Sequence, residues 1–265
     1  MIRVSQLSKH YGGNQVLRGI DLQIGAGEFV VVLGQSGAGK STFLRCMNRL
    51  ARADGGELQV AGIDALDARD ERALRRQVAM IFQHHNVVPR LSVLKNVLTG
   101  RLASVSTLAS VLQLFSQADV ELARQCLLRV GLAHKADART DSLSGGQMQR
   151  VGIARALAQQ PKVILADEPV ASLDPKTARL VMQYLHDASR ELGITVVCNL
   201  HQVEFAREFA DRIVGLAHGR LVYDGDASGL DEATLQRIYP DAESTEDESA
   251  AACAPQLHYA NGLGG

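Results

Sequence analysis

Gly34-Gln35-Ser36-Gly37-Ala38-Gly39-Lys40-Ser41 lies between an apolar run, Phe29 to Leu33, and a stretch of helical character, Ser41 to Leu50. The octapeptide fits the pattern G-x-x-x-x-G-K-[ST]. Its glycines let backbone N–H groups converge on phosphate oxygens without Cβ obstruction. The helix that follows adds the positive end of its dipole. In this setting Lys40 is placed to neutralise β- and γ-phosphates, and Ser41 to ligate Mg²⁺. With glycine near 7% of residues, a chance match in a chain this long is on the order of one per cent. Alone, the pattern specifies a nucleotide phosphate and no particular reaction.

Upstream of the loop, Ile2 to Leu7 and Val16 to Ile24 read as strands, with turns at Gly12-Gly13 and Gly25-Ala26-Gly27. Downstream, Val78 to Phe82 reads as a strand ending before Gln83. From His84 to Gln149 the character becomes helical, clearest in the spacing over Val120 to Val130. Strand–helix alternation then returns with Val163 to Ala166, a helix over Lys176 to Leu192, and a buried strand from Ile194 to Cys198. The pattern predicts a mainly parallel sheet flanked by helices and interrupted by a helical insertion. Gly55-Gly56 reads as a turn.

Lys162-Val-Ile-Leu-Ala-Asp167-Glu168 is an apolar strand ending in two carboxylates. Open α/β sheets place ligands at this end of their strands. An acidic pair here is commonly structural. Coupled to the glycine loop, it suits chemistry: Asp167 would hold Mg²⁺ through water, and Glu168 would orient the attacking water or take its proton. A phosphotransferase whose nucleophile is a substrate hydroxyl has less need of that second acid.

Leu143-Ser144-Gly145-Gly146-Gln147 lies just before a helix expected over Met148 to Ala158. A hydroxyl, glycine N–H groups and a helix N-terminus make a second phosphate cradle. Here the chain resembles the ABC ATPases, whose signature is LSGGQ at this place. The resemblance implies an α/β fold: a P-loop NTPase (RecA-like) core, an N-terminal antiparallel β-subdomain and an inserted α-helical signature subdomain. Residues 1–240 would form the ABC ATPase domain, with 1–83 and 150–240 as the nucleotide-binding core and 84–149 as the helical subdomain. It further implies ATP and Mg²⁺ as cofactors. Two copies would sandwich two ATP molecules, Ser144, Gly145, Gly146 and Gln147 of one closing on the γ-phosphate held by the loop of the other.

Other family positions match in order. Tyr11 stands about two dozen residues before the loop, where the family stacks an aromatic ring on adenine; unaided, a lone Tyr would read as a packing residue. Gly34 through Ser41, with Thr42, would hold the phosphates. Gln83 matches the glutamine that senses γ-phosphate or Mg²⁺ and touches the membrane subunit. Ser172-Leu173-Asp174 matches the loop that crosses the dimer seam, and His201 the switch histidine at the γ-phosphate. The implied catalytic set is Glu168, His201 and Gln83, and the metal set Ser41, Gln83 and Asp167.

Within the ABC importers the chain looks most like the ATP-binding subunits of phosphonate importers. That likeness rests on Gln83-His-His-Asn-Val-Val-Pro-Arg, on Ala166-Asp-Glu-Pro-Val-Ala-Ser-Leu-Asp-Pro, on Asn199-Leu-His-Gln-Val and on the extra stretch Leu102 to Asp119. It implies a homodimer of ATPase subunits, integral membrane permease subunits and, indirectly, a periplasmic binding protein that selects the substrate. The place of action would be peripheral, on the cytoplasmic face of the inner membrane. A polar amino-acid or methionine importer is the nearest alternative, and a soluble non-transport ABC ATPase the alternative of another class. The second is opposed by the single loop and single signature, and by only about a hundred residues between them. A GTPase is opposed by the lack of an Asn-Lys-x-Asp segment.

Composition narrows the rest. The 265 residues suffice for a sizeable core, and the net charge of −1 gives no basic field for a nucleic-acid partner. Glu71 beside Arg72, Arg75 and Arg76 reads as a solvated helix face. Cys46, Cys126, Cys198 and Cys253 are scattered without a CxxC pair, which argues against a disulfide framework or zinc site and fits a reducing compartment. The adjacent His84 and His85 lack a carboxylate or thiol at ligand spacing. No apolar run approaches the roughly 20 residues that span a bilayer. Residues 241–265 are acidic and poor in apolar side chains, predicting a disordered tail.

Overall fold

A computed structural model describes residues 1–83, 86–105 and 114–240. His84, His85, Cys253 and the expected tail at 241–265 lie outside the described residues, as does part of the Leu102–Asp119 stretch.

The central strand is β3 (Phe29–Leu33), buried along its whole length. Its side chains alternate between two cores. Phe29, Val31 and Leu33 join one apolar cluster, and Val30 and Val32 the other. Burial on both faces explains why the strand reads as an unbroken apolar run. Before it, β1 (Ile2–Tyr11) and β2 (Asn14–Ile24) form an antiparallel pair. With β4 (Gly55–Val60) and β5 (Ile63–Asp64) they make a four-stranded sheet in the order β2-β1-β4-β5.

The second sheet takes β3 between later strands: β6 (Val78–Ile81), β7 (Val163–Asp167), β8 (Thr195–Asn199), β9 (Arg212–Ala217) and β10 (Arg220–Gly225). The order is β10-β9-β3-β8-β7-β6, parallel except for the β9–β10 hairpin. The C-terminal ends of β3, β8 and β7 are therefore neighbours on one sheet edge.

Among the described residues the α-helices are α1 (Lys40–Met47), α2 (Glu71–Gln77), α3 (Val93–Leu98), α4 (Gln117–Arg129), α5 (Gly145–Ala158), α6 (Pro175–Leu192), α7 (Val203–Phe209) and α8 (Glu232–Ile238). Helices α3, α4 and α5 pack on one another, and their apolar faces join the same cluster as Phe29, Val31 and Leu33. On α2, Glu71 meets Arg75 at 2.9 Å and Arg49 at 3.3 Å, a paired charged face.

Four expectations shift. Helix α1 stops at Met47 rather than Leu50, because Arg49 turns left-handed (φ 58°) and the N–H groups of Leu50 and Ala51 fold back onto the Arg45 carbonyl. Strand β1 runs on to Tyr11, four residues past Leu7, in continuous register with β2 apart from local shifts. Helix α5 begins at Gly145, so the signature glycines lie inside its first turn instead of ahead of it. Gly55-Gly56 is no simple turn but the start of β4. A Cβ on Gly56 would lie 2.4 Å from the Gln6 carbonyl oxygen, at the register shift between β1 and β4. Only glycine permits that approach.

Among the described residues no helix is long and apolar enough to cross a membrane.

Candidate nucleotide site

The loop between β3 and α1 wraps a buried ammonium. Lys40 Nζ donates to the carbonyls of Gly34 at 2.6 Å and Gln35 at 3.0 Å. Burial pushes its pKa down, while the Glu168 and then the Asp167 carboxylate pull it back up. The loop's glycines are required by space as well as by conformation. A Cβ on Gly34 would lie 2.3 Å from the Leu216 carbonyl oxygen of β9, and Gly39 adopts φ 100° at the start of α1. Gly219 N–H donates to the Ala38 carbonyl, tying the loop to the β9–β10 turn. Beside the loop, Gln35, Gly37, Ala38, His218, Ile238 and Pro240 help to line a cleft of about 300 Å³. The His218, Ile238 and Pro240 part of that wall carries no sequence signature.

Across the sheet edge, Ser41 Oγ donates to Asp167 Oδ1 at 2.7 Å. Asp167, the last residue of β7, is buried and also accepts from Asn199 Nδ2 at 2.6 Å and from the Arg45 guanidinium at 3.3 Å. Ser41 and Asp167 are hard oxygen donors side by side, which suits Mg²⁺. Among the described residues no cluster of three or more His, Cys, Asp or Glu forms a cage for a metal ion. Mg²⁺ is normally held by one or two protein ligands, with phosphates and water supplying the rest. The donor set therefore fits that ion.

Glu168 follows in the left-handed region, φ 50°, rare for a non-glycine residue. Its carboxylate Oε1 lies 2.8 Å from His201 Nε2. His201 sits two residues past β8, so the β7–β8 pairing brings the two together. Gln83 lies two residues past β6. The β6–β7 ladder ends at Ile81↔Ala166, and Gln83, beyond it, is exposed and makes no hydrogen bond among the described residues. Thr42 follows Ser41 in the first turn of α1.

The remaining predicted residues stand apart. Ser144 caps α5: its hydroxyl accepts from Gln147 N–H at 3.3 Å, and Gln147 Oε1 accepts from Ser144 N–H at 3.0 Å. Among the described residues no hydrogen bond joins this segment to the 34–41 loop. Gly146 faces the start of α6, where a Cβ would come 2.4 Å from the Thr177 methyl. Asp174 caps α6 by accepting from Thr177 N–H at 3.0 Å; the Thr177 side chain and then that N–H hold its carboxyl below the usual range. Tyr11 is 52% exposed, with the Lys9 ammonium 4.9 Å from its ring centroid, so it is not a core packing residue.

Sequence reasoning missed two members of the cluster, Arg45 and Asn199. The signal for Asn199 was present: an amide closing the apolar strand Thr-Val-Val-Cys-Asn, fully buried in the fold. Such a group needs partners.

The ABC transporter family model matches residues 17–171. The Phosphonates import ATP-binding protein PhnC of Thiobacillus denitrificans is 52% identical over 250 residues, covering 94% of this chain and 96% of that protein. The Phosphite import ATP-binding protein PxtA of Stutzerimonas stutzeri is 52% identical over 258 residues, covering 97% and 94%. Among solved structures, the dimeric post-hydrolysis state of the ATP-binding cassette MJ0796 bound to ADP and Pi aligns with a TM-score of 0.75 at 34% identity. That alignment covers 87% of this chain and 100% of that one.

Proposed function

The chain belongs to the ABC transporter family, and from that premise we propose that it is the ATP-hydrolysing subunit of an importer for phosphonates or phosphite. The observation that carries the reading is the junction of three strand ends, where Lys40, Ser41, Asp167, Glu168 and His201 converge beside a glycine loop. The two import relatives match this chain at equal identity, so the substrate class is best drawn to include both oxyanions.

In this reading Gly34 to Thr42 cradle the triphosphate. Lys40, buried and bonded among the described residues to two carbonyl oxygens, gains a countercharge when phosphate arrives. Ser41 and Asp167 hold Mg²⁺, with Gln83 reaching in from β6. The ion, when bound, screens the phosphate charge. Glu168 orients the attacking water and accepts its proton, and His201 steers the Glu168 carboxylate through its 2.8 Å contact. Tyr11 stacks on the adenine.

Ser144, Gly145, Gly146 and Gln147 complete the site of a second copy, with Asp174 at the seam. Their lack of bonding to the chain's own loop supports a role in trans. Residues 1–83 and 150–240 serve as the nucleotide-binding core and 84–149 as the helical subdomain. The homodimer works beneath integral permease subunits on the cytoplasmic face of the inner membrane, and a periplasmic binding protein selects the cargo.

Glu168→Gln tests the reading. The variant should bind ATP with unchanged affinity, lose turnover by about 100-fold or more and accumulate as an ATP-bound dimer. Hydrolysis near the normal rate would refute the assignment. In the reconstituted complex, a phosphonate or phosphite presented with the cognate binding protein should stimulate ATPase activity, whereas amino acids should not.

A further inference from the structure

The side chain of Asn199 is fully buried at the end of β8 and satisfies three groups at once. Its Nδ2 donates to Asp167 Oδ1 at 2.6 Å and to Ser41 Oγ at 3.3 Å, and its Oδ1 accepts from Glu168 N–H at 2.5 Å. The amide can point only one way. A carboxylate only accepts and a backbone N–H only donates, so flipping Asn199 would turn both main contacts repulsive. The strand register sets the distance, since Asp167 and Asn199 are direct partners in the β7–β8 ladder.

Beyond that pair β7 leaves the sheet, because Glu168 turns left-handed at φ 50°. Its N–H no longer has a ladder partner, and the Asn199 side chain takes the place of one. Residues held in such sparsely populated conformations persist only where their surroundings over-determine them. Here the surroundings include Asn199.

We propose that Asn199 is a positioning residue: one carboxamide locks the orientation of the Asp167 carboxylate and the left-handed turn at Glu168, fixing the two acids relative to each other. The inference rests on the reading of Glu168 as the residue that orients water, and goes beyond it by naming what holds Glu168 in place. A hydrocarbon at this position would leave the part-buried Glu168 N–H without its protein acceptor and free the turn to relax. Small displacements of a catalytic group cost rate far more than binding.

The test compares Asn199→Val with the unsubstituted protein. In the nucleotide-free protein, amide hydrogen exchange at Glu168 should quicken about tenfold or more in Asn199→Val, with the Val163–Asp167 amides changing less than about threefold. With ATP and Mg²⁺, kcat of Asn199→Val should fall about 10- to 100-fold, with KM for ATP within about threefold.

Unchanged exchange at Glu168, or kcat within threefold, would overturn the proposal. So would equal loss of protection throughout β7 and β8, the mark of a packing role alone. Should the valine variant not fold, Asn199→Ser, polar but too short to reach both partners, is judged by the same criteria. Glu168→Gln keeps the two readings separable. Normal hydrolysis there defeats the catalytic assignment, whereas the exchange result reports on Asn199 alone.

Discussion

Ser41 Oγ and Asp167 Oδ1 lie 2.7 Å apart, although 126 positions separate them in sequence. This bond joins the first turn of α1 to the end of β7 and sets two oxygen donors on one spot. Ser41→Ala should therefore raise the Mg²⁺ concentration for half-maximal ATPase activity by about tenfold or more, on the scale of a lost metal ligand or its outer partner. Nucleotide affinity measured in chelator should stay within about twofold. Titration of activity against Mg²⁺, paired with equilibrium dialysis in EDTA, checks both halves.

The capping of α5 by Ser144 predicts a separation of functions. Ser144→Arg, combined with Glu168→Gln, should bind ATP as a monomer and fail to form the closed dimer, because a long cation replaces the small hydroxyl at the proposed seam. Light scattering after gel filtration with ATP reads the outcome. A dimer population equal to that of Glu168→Gln alone would count against a shared site.

Gly34 touches β9 so closely that a single added methyl has nowhere to go. Gly34→Ala should destabilise the protein by about 1–3 kcal/mol, as overpacking against fixed backbone does, and should also weaken ATP binding. Gly37 has nothing within 4 Å of where its Cβ would stand, yet its φ of 82° penalises any side chain. Gly37→Ala should therefore show the strain without the collision, and lose less stability. Urea unfolding of both variants compares the two.

Asp119 offers a pH test remote from the nucleotide. Its carboxyl is held below the usual range, first by the Ser116 hydroxyl and then by Arg101, whose Nε lies 2.7 Å away. A carboxyl with a lowered folded pKa lends stability that is complete above its unfolded value near pH 4 and is lost as pH falls through the folded value. Asp119→Asn should lower Tm by about 2–4 °C at neutral pH. The gap should hold down to about pH 5 and narrow below about pH 4. Calorimetry across that range decides; a gap that widens in acid would show that the charge is not the stabilising element.

Much of the fold could be read from local pattern because local pattern caused it. Phe29 to Leu33 is an apolar run because both faces of β3 are buried, and Lys162 to Glu168 changes from apolar to acidic where β7 emerges from the sheet. The loop at Gly34–Ser41 and both acids were legible for the same reason: each is one contiguous segment at a strand end. What escaped depends on contacts distant in sequence. Gly56 resembles a turn glycine until β1 is laid against it. Asn199 is one amide in a strand until Asp167 and Glu168 arrive from the neighbouring one. The cleft wall at His218, Ile238 and Pro240 is built from a turn and the end of α8, whose side chains bear no signature for a ligand.

The bond network from Ser41 to Asp167 to Asn199 has a consequence for biosynthesis. Its three members come from widely spaced parts of the chain, and the last closes β8 near residue 200. A ribosome-bound fragment can present the glycine loop early, but it cannot assemble the acidic edge until that strand has left the exit tunnel and docked. Completion of the acidic edge thus waits on the emergence of Asn199, whatever the order in which the earlier segments fold.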